Sequence, residues 1–111
     1  MMNNKIEFPE DYTSYMNNLR DHEIYSENGY VELFPVSELN QINTEYETEQ
    51  YVPNFVAVGT NGAGVGILIN KENKQFYSIP FVGMDESDAV LLANSFSEFI
   101  YKFENEGLEI Y

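Results

Sequence analysis

Glutamate and tyrosine side chains alternate near the middle of this sequence, and they are the densest group of residues with recognisable chemistry. Carboxylates attract Lys and Arg side chains, and tyrosine offers a large contact area with a polar tip. This mixture is typical of an interface for a basic protein partner. A run of charges is also typical of ordinary solvated surface, so a plain helix end or acidic loop stays open as an alternative. The residues concerned are Glu45, Tyr46, Glu47, Glu49 and Tyr51.

A second acidic group contains Asp85 and Glu86, with Asp88 two positions further on. Calcium-binding loops place oxygen ligands at alternate positions and need a glycine and a distal glutamate, and that spacing is missing here. Acidic side chains near a helix N-terminus stabilise it, so helix capping explains most of this group. Recognition of a basic partner is the second interpretation, and we include Asp85 and Glu86 among the predicted partner-binding residues.

The sequence lacks the residue patterns of the common catalytic and cofactor sites. His22 is the single histidine and there are no cysteines, so a catalytic triad or a Cys-based metal site is not indicated. Gly62 and Gly64 begin a Gly-x-Gly, but Ile67 stands where a dinucleotide-binding loop needs its third glycine. We therefore predict no enzyme activity, no metal and no cofactor. A hydrolase or transferase with paired carboxylates would need two acids with shifted pKa values in one cleft, which no spacing suggests.

The charge balance favours a basic partner. Nineteen acidic residues oppose five basic ones, for a net charge of -14 in 111 residues. Such a surface repels nucleic acid and anionic lipid and attracts basic proteins, although solubility alone also explains it. Length and composition predict one domain over residues 1–111. The polar N-terminus and short apolar runs predict a cytoplasmic protein that does not contact the membrane. The oligomeric state is left open.

Hydrophobic spacing predicts the elements that must position these side chains. We predict antiparallel strands at residues 51–58, 65–70 and 75–79, and a hairpin around Asn28-Gly29. The turn between the first two strands needs positive φ angles or close backbone approach, and its residues are Gly59, Asn61, Gly62 and Gly64.

Helices are expected at residues 9–20, after a cap at Ser37, and after a cap at Ser87 or Asp88. Leu92, Phe96, Phe99 and Phe103 share one face of the last helix, which stops at Gly107. The fold class is therefore α+β, an antiparallel sheet of about four to six strands with helices packed on it.

Four segments in order resemble the SUKH superfamily, which contains fungal cell-wall-assembly regulators and many bacterial toxin-immunity proteins. Residues 52–64 read Val-Pro-x-Phe-Val-x-Val-Gly-x-Asn-Gly-x-Gly, similar to its central signature. Residues 8–12, 30–39 and 95–100 resemble its Pro-x-x-Tyr, Glu-Leu and Ser-Phe-x-x-Phe segments. Two features depart from the pattern: too few residues precede Phe8 for the usual additional helix, and Val65 and Gly66 replace an acidic residue.

The resemblance implies a non-catalytic protein that binds and blocks a cognate toxin, often a nuclease. An inhibitor of a nuclease can work by presenting carboxylates where the enzyme expects phosphates. The alternative implied by the same resemblance is an intracellular scaffold or regulatory module that binds a host protein. A toxin gene beside this one would separate the two interpretations.

Overall fold

An antiparallel six-stranded meander forms the framework in the computed structural model, which describes residues 7–19, 21–27 and 29–110. Each strand pairs with the next along the chain, in the order β1 to β6. The strands are β1 Glu23–Ser26, β2 Gly29–Leu33, β3 Phe55–Thr60, β4 Val65–Asn70, β5 Phe76–Pro80 and β6 Val90–Ala93. The helices of these ranges are α1 Glu10–Asn17, α2 Leu39–Tyr46, α3 Thr48–Tyr51 and α4 Phe96–Asn105. The predicted α+β class is confirmed.

The core lies between the central strands and the C-terminal helix. Consecutive residues of β3 and β4 are buried, which requires both faces of the sheet to be covered. Phe99 of α4 stacks on Phe76 of β5 at 6.0 Å between ring centroids, and Tyr12 of α1 meets Phe96 edge-on at 5.3 Å. The predicted core residues Phe55, Val58, Ile67, Ile69, Leu92, Phe96 and Phe99 are buried, whereas Tyr15, expected on the core face of α1, is only partly buried.

The turn between β3 and β4 holds the glycines, each for a different reason. Gly62 and Gly64 have positive φ angles of 77° and 90°, as expected for a tight connection. Gly59 instead lies in β3, where a Cβ atom would be 2.6 Å from the backbone oxygen of Glu32 in β2. The Asn61 side chain organises the turn, since it accepts from the amides of Ala63 and Val65 at 2.8 and 3.2 Å.

Several predicted boundaries are wrong at the first two helices. Pro9 occupies the N-cap position of α1 rather than its first turn, and the predicted end at Arg20 lies outside the described residues. Ser37 makes no capping hydrogen bond because it sits inside a 3₁₀ turn, Val36–Glu38, that leads directly into α2. Tyr51 was expected in a strand but ends α3, and β3 begins only at Phe55.

The last third of the chain contains a strand that the helical spacing concealed. Asp85 caps a 3₁₀ turn, Glu86–Asp88, and β6 follows, so neither Ser87 nor Asp88 begins the closing helix. Leu92 is buried from β6, not from a helix. The cap of α4 is Ser95, whose hydroxyl accepts from the Glu98 amide at 3.1 Å. Gly107 follows the helix with a φ of 67°, as the predicted stop requires.

The first hairpin is displaced by one residue from its prediction. Ser26 pairs with Gly29, so Gly29 belongs to β2 and not to the turn. Asn28 lies outside the described residues.

Candidate functional site

A groove lined by aromatic side chains lies where the β5–β6 connection passes α2 and α3. The ring of Tyr46 stacks on that of Phe81, with centroids 4.0 Å apart and planes inclined by 9°. The cavity volume is about 380 Å³. We call this feature the tyrosine groove, and its lining residues are Tyr46, Tyr51, Phe81, Gly83 and Met84.

Asn43 fixes the helical wall of the groove to the sheet. Its side chain is 1% exposed, and its Nδ2 donates to the Ala57 carbonyl of β3 at 3.0 Å. Its Oδ1 accepts from the Ala57 amide at 2.8 Å and from the Thr48 hydroxyl at 2.9 Å. Since Thr48 begins α3, one amide side chain ties α2, α3 and β3 together.

A left-handed residue joins the two helices of that wall. Glu47 has a φ of 58° and stands between the end of α2 and the start of α3. This conformation costs a residue with a Cβ atom about 1–2 kcal/mol and normally favours glycine or asparagine. The bend settles the question left by the sequence: residues 45–51 are neither one helix tail nor a loop, and Tyr46 and Tyr51 line the same groove.

The carboxylates beside the groove differ in how far they are neutralised. Glu49 forms a salt bridge with Lys71 at 2.9 Å. Glu45 accepts only a long hydrogen bond from the Gln41 amide, at 3.2 Å. Neither Glu45 nor Glu47 has a salt bridge to a cation within the described ranges, and both are exposed. Negative charge is therefore concentrated next to Tyr46.

Asp85 and Glu86 hold the opposite wall in place. The Asp85 carboxylate accepts from the Ser87 amide at 2.8 Å, and this hydrogen bond lowers the pKa of Asp85. The Glu86 carboxylate accepts from the backbone and side-chain nitrogens of Asn54 at 3.0 and 3.1 Å. The bonds between Glu86 and Asn54 fasten the segment after residue 84 to the turn before β3. Both predicted acids therefore have partners inside the chain and follow the groove residue Met84 directly in the sequence, without lining the groove themselves.

The apolar residues of this second wall were missed from the sequence. Phe81 and Met84 line the groove, and Val82 between them is 90% exposed. A Phe-Val-Gly-Met run between the strand predicted at residues 75–79 and the last predicted helix was the available signal, because apolar side chains in an exposed connection often mark an interaction surface.

Other chemically capable groups lie apart from the groove. His22 Nδ1 is 3.0 Å from the Leu33 carbonyl oxygen, an ordinary contact with the backbone of β2. The Tyr12 hydroxyl is buried without a hydrogen-bond partner in the described structure, and burial raises the pKa of Tyr12 to about 12. The described residues hold no group of three or more His, Asp or Glu arranged to bind a metal ion. None of the described helices has the length and apolar character needed to cross a membrane.

Comparison with known families now adds to this geometry. The model of the SMI1 / KNR4 family (SUKH-1) matches residues 3–102. The chain belongs to this family. The match spans both walls of the tyrosine groove and confirms the SUKH resemblance of the four sequence segments. Membership of the SMI1 / KNR4 family fits a non-catalytic domain. No curated relative matches the chain.

Proposed function

We propose that this SMI1 / KNR4 family member is a non-catalytic protein-binding domain that neutralises a basic toxin, as an immunity protein. The observation that carries the proposal is the tyrosine groove, with exposed aromatic rings beside carboxylates that no cation of the described chain neutralises. The toxin as partner is suggested by the family resemblance, and the groove is the surface proposed to bind it.

In this proposal the tyrosine rings anchor the partner, and the acidic charges attract it. Tyr46 and Tyr51 are 40% and 51% exposed, and tyrosines of this kind are frequent anchors in protein interfaces. The net charge of -14 accelerates the approach of a basic domain. A nuclease is basic at its substrate site because it must bind phosphates, so a carboxylate surface competes for the same groups.

The alternative is an intracellular scaffold resembling the fungal cell-wall regulators for which the family is named. The same groove would then bind a resident host protein, and no toxin would be encoded nearby. The two functions differ in the identity of the partner and not in the chemistry of the surface.

The direct test is co-expression with the toxin encoded beside this gene. Growth should be rescued by the wild type and lost in a folded Tyr46→Leu/Tyr51→Ala variant. With purified proteins, the association rate should fall steeply as salt is raised, because charge steers the encounter. If no toxin gene is adjacent and the partner captured from the native host is a resident regulatory protein, the scaffold function replaces this proposal.

A further inference from the structure

We infer that the tyrosine groove binds an arginine side chain of the partner, stacked on Tyr46 and paired with the carboxylates of Glu45 and Glu47. This inference deepens the proposed function and rests on it. It names the chemistry of the group that the partner inserts.

The first step concerns the ring of Tyr46. Its stacking on Phe81 covers one face at a centroid distance of 4.0 Å, yet the residue remains 40% exposed. No second ring of the described residues stacks on Tyr46, and the residue lines the cavity of about 380 Å³. A planar cation placed there gains both dispersion and the attraction of the ring quadrupole.

The second step concerns the charge next to that ring. Glu45 and Glu47 flank Tyr46 in the chain, and neither has a salt bridge among the described residues. An apolar side chain stacked on Tyr46 would offer these carboxylates no hydrogen bond, and any water that it displaced from them would be lost without compensation. A cationic side chain would form hydrogen bonds with these carboxylates.

The third step distinguishes arginine from lysine. Guanidinium is planar, stacks on aromatic faces and offers several N–H donors in a fixed fork that matches a carboxylate. Ammonium is a compact and strongly hydrated point charge, so it gains less from the ring. A ring that lines the groove, with two exposed carboxylates on the neighbouring residues of the chain, therefore favours arginine.

The fourth step is that the groove is formed before binding. Asn43 ties α2 and α3 to β3, and Glu86 ties the opposite wall to Asn54. Because both walls are anchored, little conformational entropy is lost when a side chain enters. Weak binding of a single arginine should thus be measurable without the rest of the partner.

The experiment is an NMR titration of the full-length protein with three blocked tripeptides: Gly-Arg-Gly, Gly-Lys-Gly and Gly-citrulline-Gly. Citrulline keeps the shape of arginine without its charge. We expect saturable shifts of the Tyr46, Tyr51 and Phe81 ring signals with the arginine peptide, at about millimolar affinity. The lysine peptide should bind several-fold more weakly, and the citrulline peptide should not saturate.

Two variants and a matched control locate the site. Tyr46→Leu, which keeps apolar bulk on Phe81, and Glu45→Gln/Glu47→Gln should each weaken arginine binding about five-fold or more. Glu104→Gln/Glu109→Gln removes the same charge from exposed positions of the C-terminal region and should change affinity less than two-fold. The amide spectrum of each variant reports whether it is folded.

The inference is overturned if the citrulline peptide binds equally, if the shifts spread over the whole acidic surface, or if the control variant loses as much affinity. Toxin neutralisation by a protein that fails this titration would overturn the arginine site and leave the proposed function standing. If the protein binds arginine specifically but has no toxin partner, the arginine site stands and the proposed function is overturned.

Discussion

Replacing Asn43 with alanine should detach the helical wall of the groove from the sheet and destabilise the whole fold. The Asn43 amide exchanges two hydrogen bonds with the backbone of Ala57, at 2.8 and 3.0 Å. These bonds lie on the edge of β3 that faces β2, just beyond the end of β2. The backbone bond next to them on that edge runs from the Phe34 amide to the Val58 carbonyl. A side chain thus takes the place of a strand neighbour.

The expected cost follows from what the substitution leaves behind. The Thr48 hydroxyl keeps a second acceptor, the backbone oxygen of residue 43, at 3.3 Å. The N–H and C=O of Ala57, a fully buried residue, lose the bonds that Asn43 supplies. An unsatisfied buried polar group costs about 1–3 kcal/mol, so two of them cost about 2–6 kcal/mol. This is a large part of the stability of a small domain.

Urea unfolding followed by circular dichroism measures this cost, with two matched variants. Asn40→Ala removes an exposed asparagine from the same helix and should change stability by less than about 0.5 kcal/mol. Asn43→Asp keeps the size and the acceptor oxygens but loses the Nδ2 donor, so it should also destabilise at neutral pH. If Asn43→Ala stays within the range of Asn40→Ala, or Asn43→Asp matches the wild type, the anchoring role is refuted.

Three further predictions, one of them with a control variant, test other parts of the structure. Tyr12→Phe removes a buried hydroxyl without a partner, so unfolding free energy should rise by about 1 kcal/mol at neutral pH. Burial raises the pKa of Tyr12 from 10.0 to about 12, so the unfolded chain ionises first. Between those pH values the unfolding free energy of the wild type should therefore fall faster with pH than that of Tyr12→Phe, by up to about 1.4 kcal/mol per pH unit. The same pH dependence in both proteins would contradict this. Glu47→Gly relieves a left-handed residue and should raise stability by about 0.5–1 kcal/mol in thermal unfolding, whereas Glu45→Gly within α2 should lower it by about 1 kcal/mol. Gly59→Ala places a Cβ atom 2.6 Å from the Glu32 carbonyl and should cost about 1–3 kcal/mol, and an unchanged urea midpoint would remove the close-approach argument.

The parts of the fold that sequence reasoning predicted correctly are those with strong local signals. Strand β4 was placed at residues 65–70, as observed, because an apolar run lies between a glycine turn and a polar turn. The aromatic face of α4 was found because Phe96, Phe99 and Phe103 follow helical spacing and all are buried.

The errors occurred where two local patterns compete. Leu92 fits the helical spacing of Phe96 and Phe99, but it also fits a short buried strand. The outcome depends on pairing with β5, where Leu91 lies opposite Tyr77, and such non-local pairing cannot be read from local periodicity. Tyr51 shows the same problem, because its strand-like composition gives way to the helical turn that Thr48 and Asn43 anchor.

The candidate site was half predictable for a similar reason. Glutamates and tyrosines of residues 45–51 stand out as a chemical pattern, so one wall of the groove was found. The other wall depends on which loop the fold brings against Tyr46, and only the tertiary structure places Phe81 there. Asn43 was missed because an asparagine in a helix carries no local sign that its amide will satisfy a strand.

Two residues that break local rules lie beside this groove, although others, such as Lys74 with a φ of 63°, lie elsewhere. Glu47 is left-handed without being glycine, and Val82 is an apolar residue 90% exposed. Each choice carries a cost or gives no return in stability, and such conflicts are typical of functional sites. It follows that changes favouring the fold here should disfavour binding. Glu47→Gly should therefore stabilise the domain while weakening the arginine site, a trade-off that unfolding and peptide titration measure on the same variant.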